Sequence, residues 1–347
     1  SLLGTGLKNP LQGLLKEVIQ DLNRDYCGKI MAIDLPSGFS GQEVFFEPVL
    51  KAHTVFTVET LKTGMTHEPG RSLCGMIEKV KIGIPEPLLN HEKRKHFQVE
   101  TKDLVLPKRP ADSHKGYYGK TLICAGSASY PGAARLSLSA ALKIGAGFVY
   151  GYCPDEVFLK DLPEVIPLKT LPENLDSFTS IAAGPGWYQG DPELLERLLH
   201  HYSGPLILDA DALNLISKTP GLLKNRKNLL LTPHLGEFAR LMNTPSEKIR
   251  ANRMAALRDF STAYPDIAVL LKDAVSTLKW GEFFFDLPWG CSALARAGSG
   301  DLLTGLIAGF AAYHPLKESV FLAGFINGRT AEILSAEKTP FAFSASA

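Results

Sequence analysis

Ala295-Arg296-Ala297-Gly298-Ser299-Gly300-Asp301-Leu302-Leu303-Thr304-Gly305-Leu306-Ile307 sets small residues and an acid at the head of an apolar run that should be helical. A Gly-Ser-Gly turn entering a helix exposes backbone N–H groups that no helical carbonyl can accept, at the positive end of the helix dipole. Such a turn favours an anion, above all a phosphate. An Asp at the same place repels that guest unless it takes a proton from a hydroxyl that attacks a phosphoryl group. The alternative is an ordinary first-turn Asp after a glycine turn. The rest of the chain has to decide between them.

Upstream, short apolar runs alternate with helical segments from Lys120 onward. Thr121-Leu122-Ile123-Cys124-Ala125 ends at Gly126-Ser127 and is followed by Tyr130-Pro131-Gly132-Ala133 and an alanine-rich helix expected over 134–144. Gly147 to Tyr152 reads as the next strand. Ser180-Ile181-Ala182-Ala183 leads to Gly184-Pro185-Gly186, and Pro205-Leu206-Ile207-Leu208-Asp209 leads to Ala210-Asp211-Ala212-Leu213. Asn228 to Thr232 leads to Pro233-His234-Leu235-Gly236-Glu237, and Ala268 to Lys272 leads to Asp273-Ala274-Val275-Ser276. Apolar strands that end in Gly or a polar residue and then enter helices predict an α/β domain, a doubly wound sheet with helices on both faces. Their polar ends then line one crevice at the carboxyl edge.

The residues expected there suit phosphoryl chemistry. Asp301 is the candidate base and the Gly298-Ser299-Gly300 amides the anion hole. Lys272 meets phosphate charge as a compact cation. Asp209, Asp211 and Glu237 are carboxylates of the kind that hold Mg²⁺ directly or through water. Gly132-Ala133 and Gly184-Pro185-Gly186 admit a bulky ligand close to the backbone. His234 stands at a strand end where it can donate to a ligand. A structural role for His234 and simple first-turn capping by Glu237 stay open.

Composition narrows the class. The 347 residues are 45% hydrophobic and 21% charged with net charge +1, ordinary for a soluble globular protein and no argument for nucleic acid or an acidic membrane surface. Five cysteines without a C-x-x-C pair favour reduced thiols in the cytoplasm and give no zinc motif. No run of ~18 apolar residues predicts a membrane span. Ser1-Leu2-Leu3-Gly4-Thr5-Gly6 has no initiator Met and no signal-peptide pattern, and reads as a strand end within a domain already under way.

In the first hundred residues, Leu11 to Asn23 has helical spacing, and Lys29 to Asp34 is an apolar run ending in an acid before Leu35-Pro36-Ser37-Gly38. That run is expected to be a parallel strand buried on both faces. Thr54 to Val58 and Gly75 to Ile82 read as further strands. The expected organisation is a partial Rossmann-like domain over 1–90, a connector over 91–112 and the large domain over 113–347.

Ser113-His114-Lys115-Gly116, Gly126-Ser127 with Tyr130-Pro131-Gly132-Ala133, Gly184-Pro185-Gly186, Asp209-Ala210-Asp211-Ala212-Leu213, Thr232 to Phe238 and Gly298-Ser299-Gly300-Asp301 occur in the order seen in ADP-dependent NAD(P)HX dehydratases, and the chain resembles that family from about Ser113 onward. The resemblance implies a ribokinase-like fold and ADP-dependent dehydration of (6S)-NAD(P)HX, the C6 hydrate of NAD(P)H. It implies that Ala133, Gly186, His234 and Asp301 contact the hydrated nucleotide. Lys272, Asp273, Ala274, Val275, Ser276 and Gly300 would then hold the adenine nucleotide, ADP or ATP, with Mg²⁺ at Glu237 and Asp209. Asp273 stands where that family usually has Gly, and Tyr188 where a second glycine usually follows Gly-Pro-Gly. Leu3-Gly4-Thr5-Gly6-Leu7, Ala32 to Gly38 and Gly83-Ile84-Pro85 resemble the second half of the NAD(P)HX epimerase domain. That likeness implies that Gly4, Thr5, Gly6, Leu7, Lys8, Asn9, Pro10 and Asp34 cradle the dinucleotide and that Ser37 helps bind K⁺. The epimerase's aspartate before the Leu-Gly-Thr-Gly turn has no counterpart here, so little or no epimerase activity is expected. The expected function is nicotinamide nucleotide repair, acting on NAD(P)HX and an adenine nucleotide in a soluble homo-oligomer. The alternatives are a small-molecule kinase of the ribokinase superfamily and a non-catalytic nucleotide-binding module.

Overall fold

The computed structural model describes residues 7, 9–41, 47–89, 94–153, 162–188 and 190–346. The chain divides into two compact units, one of residues 1–96 with 250–254 and one of 97–249 with 255–347.

In the first unit, α1 (Gly13–Asp25) precedes β1 (Met31–Ile33), β2 (Thr54–Val58), α2 (Gly70–Cys74), β3 (Met76–Val80) and α3 (Glu86–Leu89). The three strands form a parallel sheet in the order β1-β2-β3. Ala32, Val55, Leu35, Phe39 and Met65 form its core on one face. On β1 the expected burial on both faces fails: Ala32 is buried, whereas Met31 is 66% and Ile33 65% exposed. β1 is an edge strand, and alternate side chains of an edge strand point to opposite faces, only one of which is packed here.

The second unit is built on one mixed sheet. β4 (His96–Gln98), β5 (Lys120–Cys124), α4 (Pro131–Lys143), β6 (Phe148–Tyr152), β7 (Ile166–Leu168) and β8 (Ser180–Ala183) come first. Then follow α5 (Pro192–His201), β9 (Leu206–Leu208), α6 (Asp211–Lys218), β10 (Leu229–Leu231), α7 (Leu235–Leu241), α8 (Ser246–Ala251) and α9 (Arg253–Ala263). β11 (Ile267–Leu271), β12 (Ser276–Trp280), β13 (Phe283–Leu287), α10 (Ser299–Ala311) and α11 (Leu316–Lys338) complete it. Among the described residues the sheet has ten strands, ordered β4-β13-β12-β11-β10-β9-β8-β5-β6-β7. From β11 to β7 all pairs are parallel, while β12 and β13 run antiparallel.

Three features depart from the sequence reading, the first being β7 at 166–168, an edge strand that no apolar run announced. Residues 96–98 lie in the expected connector yet form an edge strand, continued by the Val99 N–H donating to Asp286 O (2.9 Å). The β12–β13 hairpin turns through Gly281-Glu282, with Trp280 opposite Phe283 and Gly281 at φ +56°. A glycine at the first position of a two-residue turn is a hairpin signal.

β8 (Ser180–Ala183), β9 and β10 are buried at every residue because helices cover both faces of a parallel sheet. α10 is the central helix and packs on α4 at backbone distance. A side-chain carbon on Gly305 would collide with the Ser137 carbonyl, and one on Gly309 would lie 2.9 Å from Ala141 Cα. Thr121 Oγ1 and Ser180 Oγ both donate to Ala308 O (2.8 and 2.7 Å), fastening α10 to β5 and β8. Replacing Gly305 by Ala should destabilise the fold by about 1–3 kcal/mol through overpacking. Thermal unfolding of Gly305→Ala beside an exposed control such as Gly221→Ala checks this; equal Tm values would refute the backbone contact.

Candidate active site

The parallel strands of the second unit all end at one edge. β5 is flanked by β6 and β8, so the chain runs outward through β6 and β7, then resumes on the other side from β8 to β11. Such a switch point leaves a crevice beyond the strand ends. The Gly126 N–H donates to Pro185 O (2.7 Å), and Ser127 Oγ donates to Gly186 O (2.8 Å), tying the two flanking turns together. Gly184 (φ +117°) lies against the Asp209 carbonyl, where no side chain fits. Ala210 takes φ +49° and ψ −116°, a conformation that costs a non-glycine residue roughly 1–3 kcal/mol and concentrates at functional sites. It separates Asp209 from Asp211.

Asp209 is 2% exposed. Lys272 Nζ donates to its Oδ1 at 2.7 Å, and Thr304 Oγ1 donates to its Oδ2 at 2.8 Å. The Lys272 N–H donates to Pro233 O (2.8 Å), so the end of β11 is zipped to the turn after β10. A carbon on Gly300 would lie 3.4 Å from Lys272 Nζ and 3.7 Å from Asp209 Oδ2, which places the first turn of α10 directly over the ion pair. Gly298, left-handed at φ +93° and ψ −17°, is the N-cap. The first intrahelical bond is Leu302 N–H to Gly298 O, so the Ser299, Gly300 and Asp301 amides precede the helical ladder. Fixed N–H dipoles and the Lys272 ammonium thus share one spot, an anion site by construction.

Asp301 sits beside it, half-buried, with Ser137 Oγ donating to its carbonyl oxygen (2.9 Å). Burial first, and repulsion from Asp209 second, push its carboxyl up to about 6 against the pull of Lys272. That is the behaviour of a base poised near neutrality.

His234 and Glu237 interlock. The His234 N–H donates to Glu237 Oε2 (2.8 Å), while the Gly236 and Glu237 N–H groups donate to His234 Nδ1 (3.0 and 3.3 Å). An accepting Nδ1 puts the proton of the neutral ring on Nε2, which lies 3.4 Å from Glu237 Oε1. Burial, then Lys272 and Arg240, hold the ring below its ordinary pKa, and burial with Asp209 raises that of Glu237. Glu237 therefore caps the start of α7. Both Asp209 oxygens are likewise engaged. Among the described residues no three acidic, histidine or cysteine side chains of this crevice approach closely enough to share an ion. Mg²⁺ takes oxygen ligands and usually keeps several waters, which suits carboxylates that approach it through water.

Of the remaining predicted residues, Ala133 faces Gly186, where an added carbon would lie 2.7 Å from Ala133 Cβ. Asp273 folds back on itself, its Oδ1 accepting from the Ala274 N–H (2.8 Å), and Val275 is buried. Ser276 begins β12. In the first unit, Gly4, Thr5, Gly6 and Lys8 lie outside the described residues, Leu7 packs against the Leu11–Ile19 cluster, and Asn9 and Pro10 are exposed. Asp34 (φ +64°) is paired with Lys62 and accepts from the Val58 N–H (3.0 Å). Although burial opposes it, these donors hold its carboxyl below the ordinary range. Ser37 is buried, its carbonyl accepting from the Leu50 N–H (2.8 Å). Thr304 and Ser137 escape the sequence reading; a lone hydroxyl one turn after Asp301 in an apolar helix is the signal that marks Thr304.

A model of the NAD(P)H-hydrate dehydratase family matches residues 121–346. The chain belongs to this family. A second model, of the YjeF-related protein N-terminus, matches residues 1–64. The bifunctional NAD(P)H-hydrate repair enzyme of Moorella thermoacetica is 36% identical over 338 residues, 90% of this chain and 63% of the relative's length. That of Thermofilum pendens is 32% identical over 97% of this chain and 68% of its own length. The ADP/ATP-dependent NAD(P)H-hydrate dehydratase of Bacillus subtilis, co-crystallised with ATP/Mg²⁺, is 28% identical, with a TM-score of 0.61 over 73% of this chain and 94% of that one. The ribokinase-like protein of Enterococcus faecalis shares the fold at a TM-score of 0.66.

In this dehydratase-family chain the Lys272–Asp209 pair joins a buried carboxylate to its cation. Lys272→Met should cost about 3–5 kcal/mol, because it leaves a buried carboxylate without its partner. The double variant Lys272→Met/Asp209→Leu should recover much of that loss in urea unfolding. A double variant no more stable than the single one would show that the charge itself is not what hurts.

Proposed function

We propose that this chain dehydrates (6S)-NAD(P)HX to NAD(P)H, with an adenine nucleotide as phosphoryl donor. The observation that carries the reading is Asp301, a half-buried carboxyl raised to about 6, beside the Gly298–Gly300 amides and Lys272. With the terminal phosphate of ADP on those amides, the C6 hydroxyl gives its proton to Asp301 while its oxygen bonds to phosphorus and AMP leaves. The C6–O bond then breaks towards phosphate, driven by the ring nitrogen lone pair. Loss of the C5 proton restores the dihydropyridine, so that ADP and NADHX become AMP, phosphate and NADH. Lys272 and the amides hold the charge that develops on the transferred group, and Asp301 holds the proton. A bound Mg²⁺ would neutralise phosphate charge, with Glu237 and Asp209 contributing through water. ADP is the donor of family habit and ATP the other.

For the first unit, we take the match over residues 1–64 to support an epimerase-like dinucleotide cradle around Asp34, with K⁺ near Ser37. It enters no step of the dehydration.

The assay mixes protein, NADHX and ADP or ATP and follows NADH absorbance. Asp301→Asn should lose at least about 100-fold in kcat/KM, roughly 3 kcal/mol, the scale of a lost general base. Wild-type kcat/KM should climb with pH through about 6, where it is half its plateau, and level above that as the basic form fills. Stability runs the other way. Because the folded pKa lies above the ordinary carboxylate value, the contribution of Asp301 falls as pH rises through that range and is lowest above it. Asp301→Asn should therefore match or exceed the wild-type Tm at pH 7 while being inactive. Wild-type turnover in that variant would remove Asp301 from the role. Phosphorylation of another alcohol without NADH formation would favour a small-molecule kinase.

A further inference from the structure

Two tyrosines flank the crevice without any part in the chemistry above. Tyr130 is the N-cap of α4, and its Cβ would lie 3.1 Å from a carbon on Gly186, so it adjoins the Ala133–Gly186 surface. Tyr188 follows two residues after Gly186 and takes φ +64°, a conformation that side chains disfavour. Its backbone is clamped there, the Tyr188 N–H donating to Asp211 Oδ2 (3.0 Å), while Asn214 Nδ2 donates to Asp211 Oδ1 (3.3 Å). The two rings lie 5.8 Å apart at 42°, and the residues are 52% and 57% exposed. Large rings held by fixed backbone, left half in water and continuous with the substrate surface, form a stacking platform that loses little entropy on binding.

We propose that Tyr130 and Tyr188 stack the purine ring of the dinucleotide substrate and so determine its affinity. This rests on the proposed function. The hydrated nicotinamide ring has a tetrahedral C6 and is a poor stacking partner, and it has to reach half-buried Asp301. The rim rings therefore meet the other, fully planar end of the dinucleotide. ADP also carries a purine, and the test separates the two sources.

Wild type, Tyr188→Gly and Tyr188→Phe are titrated with NADH, with reduced nicotinamide mononucleotide, which has no purine, and with ADP. Tyr188→Gly should weaken NADH by about five- to thirty-fold, the scale of one lost base–aromatic stack. It should leave the mononucleotide and ADP unchanged, and Tyr188→Phe should match wild type throughout. Glycine suits the positive φ, so the Tm of Tyr188→Gly should not fall. Unchanged NADH affinity overturns the proposal. So does an equal loss for the mononucleotide, which would signal a general structural effect, or a loss for ADP, which would give the rings to the phosphoryl donor. Binding needs no turnover, so a wild-type protein that failed to dehydrate NADHX would overturn the proposed function and leave these titrations readable.

Discussion

A buried carboxylate must be paired, and the pairing of Asp209 organises everything at the carboxyl edge of the large sheet. Lys272 reaches it from just after β11 and Thr304 from α10, while Asp209 itself follows directly on β9. Three elements distant in sequence are drawn to one side chain because leaving any of its hydrogen-bonding capacity unmet in that environment costs more than ordering the partners. The consequence for chemistry is a cation fixed under the first turn of α10 with one face of its charge still available. Burial raises the pKa of Asp301 most, and Asp209 adds to it as the second cause. The two halves of the ion pair thus act on Asp301 in opposite senses, Asp209 raising its pKa and Lys272 lowering it, on top of the larger effect of burial.

How much of this was legible in the sequence depended on whether the signal was local. Gly298-Ser299-Gly300-Asp301 and the strand-end residues Asp209, His234 and Lys272 follow from apolar runs that stop at polar residues, and a parallel sheet brings such ends together by its topology alone. The order of the strands is not local. Nothing in Thr121–Ala125 says that β5 lies between β6 and β8, because that depends on which helix packs on which face. The β12–β13 hairpin carried its own sign, Trp280-Gly281-Glu282-Phe283, but sat after the last expected strand and broke the alternation of strand and helix.

Side-chain roles were harder still. Glu237 looks the same in the sequence whether it holds a metal or caps α7, and only the His234 N–H bond shows the capping. Asp209 reads as a free ligand until both its oxygens are found engaged. In the first unit, residues 30–33 are all apolar, yet Met31 and Ile33 face outward, because apolar composition does not say which faces of a strand are packed.

The contact of α4 with α10 has a further meaning. Where helices meet backbone to backbone, as Gly305 meets Ser137, no side chain lies between them to be lengthened, shortened or swapped. The span from Ala133 to Asp301 is then a fixed gauge, cut into the main chain and renewed at each synthesis by two helices. The turns after β5 and β8 are tied to each other, by Gly126 N–H to Pro185 O and Ser127 Oγ to Gly186 O, and meet that gauge at Ala133. A helix pair set by its main chain holds the first turn of α10 in place whatever the side chains around it.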